Sequence, residues 1–224
     1  MRSDKNYVMI YDDFMNDVES YSHREQFYYV LFKSMVNGIT RSSTINIDMM
    51  AGIMGLSSHS KNRTAMKELL VSMEEKKLLL LYEDIMMRKE ISAKDVKATG
   101  VYHAKITEMS GHSFTKIYYE DIYKFLDSDE KSKDLMFSIY FNIIHRIFES
   151  ESSSPYSYVT IDTIKKETGF DKKTIMKHID NLKESKIIYY ETVKEGVDKD
   201  KNYYVRWANR DVLIDILHPK EASA

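Results

Sequence analysis

Ile161-Asp162, Gly169-Phe170, Met176-Lys177 and Lys186-Ile187-Ile188 restate, in the same order, Ile47-Asp48, Gly55-Leu56, Met66-Lys67 and Lys77-Leu78-Leu79. Each copy reads as a short strand, a short helix, a glycine turn, a second helix and an apolar β-rich run. β-Branched stretches (Thr44-Ile45-Asn46-Ile47 and Val159-Thr160-Ile161) lead into Asp48 and Asp162. A carboxylate there can accept from the free N–H groups of a helix start, so both aspartates are expected as N-caps. Gly55 and Gly169 follow where the chain must leave the helix with positive φ, and Ser57 and Asp171 are the expected caps of the second helices. Those helices carry apolar stripes at helical spacing, Met66, Leu69, Leu70 and Met73 in one copy and Ile175, Ile179 and Leu182 in the other. The pattern predicts an α+β chain of two tandem winged helix-turn-helix domains, predominantly helical with β wings. Domain one spans 1–127 and has an elaborated wing; domain two spans 128–224.

The faces opposite the stripes suggest a role. The first copy presents Ser57, Ser58, His59, Ser60, Lys61, Asn62, Arg63 and Lys67, and the second presents Lys172, Lys173, Thr174, Lys177 and His178. Short polar side chains with Lys and Arg on a helix suit the DNA major groove, where Ser, Asn, His and Arg read base edges and Lys and Arg neutralise phosphates. A net charge of −2 argues against a uniformly basic binder. Local charge decides, because phosphates are felt over about 8 Å at physiological salt. Residues 165–186 hold seven lysines against four acids, and 57–67 hold three basic residues and no acid. The second domain is therefore expected to dominate binding.

Elsewhere, Tyr7 to Ile10 reads as a short strand, His23 to Asn37 as a helix, and Leu78 to Tyr82 as the first wing strand. Val101 to Glu108 and Phe114 to Tyr119 are expected to pair as a hairpin through Met109-Ser110-Gly111-His112. Arg88, Lys89, Lys94 and Lys97 before that hairpin either reach a DNA backbone or belong to a loop without a partner. Leu135 to Phe148 is apolar at nearly every position, more than the three in seven of a one-sided helix. It is expected to be covered on more than one side, packing against its own domain and also against domain one or a second protomer, with Phe137, Phe141, Ile144 and Phe148 as the homodimer contacts. Ile187 to Val193 and Asn202 to Trp207 form a second wing hairpin, and Asp211 to Leu217 a closing helix that is another candidate for dimer contact.

The 224 residues contain no cysteine, so neither a disulfide framework nor a thiolate metal site is available. The start shows no signal-peptide core, and no run approaches the roughly 20 apolar residues of a membrane span. A cytoplasmic protein without membrane contact is expected. No enzymatic role is expected either. The histidines never fall in a His-hydrophobe-His spacing, and neither a phosphate-binding glycine loop nor His-Glu-x-x-His occurs. His103 and His112, flanking the expected turn, read as surface imidazoles, with metal binding the alternative if the strands pair suitably; neither a metal nor another cofactor is called for.

The doubled helix-turn-helix, the Tyr7-Val8-Met9-Ile10 start, the His23 to Asn37 helix and Ser185-Lys186-Ile187-Ile188-Tyr189-Tyr190 resemble the replication initiators and replisome organisers of plasmids and phages of low-GC Gram-positive bacteria. The resemblance covers most of the chain as architecture. It implies double-stranded DNA binding at repeated origin sequences, dimerisation, and recruitment of replication machinery. It also carries a DNA-contacting role onto the second helices and the wing tip, here Lys199 and Lys201. Three alternatives stand beside it. One is a transcriptional repressor, another a tandem winged-helix protein-interaction module of the kleisin-bound kind, and the third a segregation adaptor that binds centromere-like repeats.

Overall fold

Two stretches of chain, one in each half, repeat the order helix, strand, helix, helix, strand, strand. The computed structural model describes residues 6–148, 154–194 and 200–219. It divides into two compact units, Met1–Asp134 and Leu135–Ala224, each mixing helices with small antiparallel sheets.

Unit one begins with β1 (Tyr7–Tyr11), α1 (Asp12–Asn16) and α2 (His23–Ser34). α2 starts with a capping box: Ser22 accepts from the Glu25 N–H while the Glu25 carboxylate accepts from the Ser22 N–H. β2 (Ser43–Ile45), α3 (Ile47–Ile53), α4 (Ser60–Glu75), β3 (Leu79–Tyr82), β4 (Glu90–Ile91) and β5 (Tyr102–Ile106) follow, and β6 (Phe114–Tyr118) with α5 (Tyr119–Asp127) completes the unit. The larger sheet runs β2-β5-β3-β4, whereas β6 pairs with β1 in a separate ribbon. The expected 101–119 hairpin is therefore corrected. β5 is flanked on both edges by β2 and β3, and β6 finds its partner a hundred residues upstream.

The boundary between units falls inside α6 (Lys133–Ile144). Unit two continues with β7 (Ser157–Tyr158), α7 (Ile161–Thr168), α8 (Lys172–Glu184), β8 (Ile188–Lys194), β9 (Asp200–Arg206) and α9 (Arg210–Leu217), with sheet order β7-β9-β8. The inserted β4 aside, both larger sheets share one plan, in which the third strand lies between the first and the second. α6 ends at Ile144, four residues short of the expected Phe148. Phe137, Phe141 and Ile144 are buried within the single chain, and of the expected dimer contacts only Phe148, 70 % exposed, keeps its surface. The dimer assignment of the other three is corrected: side chains already packed in the core have no apolar area left to give a partner.

The helix ends follow the repeat. α4 and α8 both close with a residue in the left-handed region, Lys77 (φ 59°) and Lys186 (φ 55°). In both, the next N–H reaches back five residues, Leu78 to the Met73 carbonyl and Ile187 to the Leu182 carbonyl, each at 2.9 Å. The buried residues of the two helices then align as Met66, Leu69, Leu70 and Met73 with Ile175, His178, Ile179 and Leu182. The Met66-Lys67 and Met176-Lys177 match is thus one residue out of register. Among the described residues, no helix is long and apolar enough to cross a membrane.

Candidate nucleic-acid interface

The first helix of each pair is capped by a residue lying between it and the preceding strand. Asn46 accepts from the Met49 N–H at 3.1 Å, and Thr160 from the Thr163 N–H at 3.1 Å. Asp48 and Asp162 are thus corrected from N-caps to second positions of α3 and α7, because each helix begins one residue before its aspartate. Asn46 also donates to the Gly100 carbonyl at 2.6 Å, so one side chain starts α3 and fixes the approach to β5. Gly55 (φ +63°) and Gly169 (φ +74°) make the turns in the conformation that glycine adopts without steric cost. Asp171 caps α8, accepting from the Thr174 N–H and hydroxyl at 2.9 Å each, and these bonds lower its pKa. The cap residue of α4 is His59, which makes no side-chain bond, so the expectation of Ser57 is corrected. Ser57 lies two residues too early, and its carbonyl accepts from Asn62 at 2.8 Å instead.

In unit one, Ser57, Ser58, His59, Ser60 and Lys61 are exposed. Arg63 is not projected outward. Its Nε and Nη2 donate to the two Asp48 oxygens at 2.7 Å each, tying α4 to α3, and this bond holds the Asp48 carboxyl below its usual range. With Asn62 bound to the turn, two of the side chains suited to base reading stabilise the helix pair. Lys67 lines a groove of about 320 Å³ along α4 with Val71, Glu75 and Lys94, the last two paired at 3.2 Å. Between β3 and β4, Asp84 accepts from the backbone N–H groups of Met86, Arg88 and Lys89, and the Lys89 ammonium bonds Glu83.

Unit two carries a denser basic surface. Lys172, Lys173 and Lys177 of α8 are exposed, and so are Lys165 and Lys166 of α7, which the sequence reading counted as charge but did not single out. The interleaved acids are engaged inside the chain. Partial burial works against ionisation of Glu167, but Arg146 Nη2, 2.7 Å from both its oxygens, and Asn142 at 2.5 Å outweigh it and lower its pKa. Asp171 caps its helix, and Asp180 accepts from the Tyr190 hydroxyl at 2.9 Å. Thr174 is half-buried beside Asp171.

His178 is corrected. At 2 % exposure it occupies the position that Leu69 takes in α4 and faces the core, because the true register is one residue away from the dipeptide match. Lys201 lies on β9 with its ammonium 5.3 Å from the Tyr158 ring centroid, and Lys199 is outside the described residues. The chain matches no known protein family and no curated protein sequence.

Proposed function

We propose that each unit is a winged helix-turn-helix and that the chain binds double-stranded DNA in a sequence-dependent way, as an initiator or organiser of plasmid- or phage-type replication. The carrying observation is the run of exposed lysines 165, 166, 172, 173 and 177, with Glu167, Asp171 and Asp180 held by partners inside the chain. The shared strand–helix–turn–helix order and shared sheet plan support the winged-helix reading of both halves. In this reading α8 lies against the duplex as the main contact, and its lysines neutralise phosphates. α4 contributes through Ser58, His59, Ser60 and Lys61, while Arg63 keeps α3 and α4 in register. A homodimer would use α9, whose Val212 and Ile216 are exposed.

The test is fluorescence anisotropy of the full chain with duplexes from DNA flanking its own gene and with random genomic duplexes. Tighter, salt-sensitive binding to the flanking DNA supports the reading. Mapping the site to an origin or to a promoter then separates initiator from repressor. Equal affinity for all duplexes removes sequence dependence, and no binding to either moves the function to protein recognition.

A further inference from the structure

The outer face of the unit-two sheet has a chemistry that a duplex-contacting helix does not explain. Side chains alternate across a sheet. Tyr158 is opposite Tyr203, Glu191 is also opposite Tyr203, and Val193 is opposite Lys201, so these residues share one face. Tyr190 and Tyr204 turn to the other face, where Tyr190 bonds Asp180 of α8. On the outer face Tyr203 contacts Tyr156 edge-on at 5.7 Å and Tyr158 at 6.2 Å, and Lys201 sits over the Tyr158 ring. Tyr158 is 57 % exposed, a large aromatic area to leave in water. Glu191, the acid that the described strand residues put on this face, accepts from the Tyr189 hydroxyl.

We propose that this face binds unpaired nucleic acid, with a base stacked on Tyr158 and the neighbouring phosphate at the Lys201 ammonium. Aromatic rings accept bases only when the base faces are free, a condition met by single strands and melted duplex. A cation set among the rings matches the alternation of base and phosphate along a strand. Protein–protein interface cores, by contrast, are depleted of lysine. The platform stands apart from the duplex reading, because it lies across the sheet from α8.

Anisotropy with a fluorescein-labelled oligothymidylate, run beside the duplex titration, tests it with wild type, Tyr158→Ala, Tyr158→Phe and Lys172→Ala/Lys173→Ala. The alanine variant is expected to weaken single-strand binding by at least about fivefold, the phenylalanine variant by less than about twofold, since stacking uses the ring and not the hydroxyl. Duplex affinity should not change in either. Lys172→Ala/Lys173→Ala should weaken duplex binding while sparing the oligothymidylate, so failure of one reading is distinguishable from failure of the other. The platform is overturned if wild type does not bind the oligothymidylate, if Tyr158→Ala retains full affinity, or if Phe and Ala lose equally. It is also overturned if Tyr158→Ala changes the oligomeric mass in light scattering, which would make the face a protein contact. Unchanged circular dichroism of the variants certifies their fold.

Discussion

If α7 and α8 face a duplex as proposed, neutralising two of their five exposed lysines should change how binding responds to salt, by an amount that can be worked out beforehand. Each phosphate neutralised on a duplex releases counterions, adding about −0.9 to the slope of log affinity against log salt. If all five lysines engage phosphates, the slope is about −4.5, and affinity falls about 500-fold between 50 and 200 mM salt. Lys172→Ala/Lys173→Ala leaves three, a slope of about −2.7 and a fall of about 40-fold over the same range. Both residues are exposed at the start of α8, where Asp171 and not a lysine caps the helix, so folding should be little affected. The assay is anisotropy of one labelled duplex across four salt concentrations, repeated with a second, unrelated duplex. The loss should be nearly uniform across sequences, because lysine–phosphate contacts carry no base information. A double variant whose slope stays within about 0.5 of wild type would refute the placement of α8 against the backbone.

Further outcomes are expected from the packing at three positions. Glu25, 2 % exposed, accepts from Ser22, Ser72 and Lys76. Burial raises its pKa, but these hydrogen bonds outweigh burial and hold it below 4.5. The stability they contribute is therefore complete above pH 4.5 and lost as pH falls through the depressed value; Glu25→Gln should flatten that acid limb in urea titrations followed by circular dichroism. Glu25→Ala should cost about 2–3 kcal/mol, less than a fully buried pair, because the Lys76 side chain keeps 35 % of its surface in water. Phe141→Ala should cost about 3–5 kcal/mol, by the same amount relative to wild type at every protein concentration, whereas a loss that varies with concentration would restore Phe141 as a dimer contact. Lys77→Gly should stabilise unit one by about 0.5–1 kcal/mol, because the left-handed conformation that costs lysine is free to glycine while glycine's unfolded-state entropy offsets part of the gain. A destabilised glycine variant in thermal melts would show that the Lys77 side chain matters more than its backbone.

The parts of the fold legible in the sequence are those governed by local rules. The period-3.6 stripes of α4 and α8, the two glycine turns, the Asp171 cap and the β8–β9 pair each depend on residues within about twenty positions of one another. Local reading also has a resolution limit of one residue. The repeated Met-Lys dipeptide offered a register that put His178 on the exposed face, and only the matching helix ends at Lys77 and Lys186 place it opposite Leu69. The caps show the same limit: Asp48 and Asp162 were expected there, and the helix starts put Asn46 and Thr160 in the cap positions instead.

By itself, then, the sequence determined the doubled order of elements, the apolar faces of the second helices and the concentration of lysine in the second copy, because periodicity and charge are properties of neighbouring residues. Only the tertiary structure decided that β6 leaves β5 for β1, that Arg63 is committed to Asp48, that the acids between the α7 and α8 lysines are engaged, and that Phe137, Phe141 and Ile144 are core. Each of these depends on a partner that another segment brings into reach. Whether a side chain faces water, a counter-ion or the core is set by that partner and not by the residue's own type.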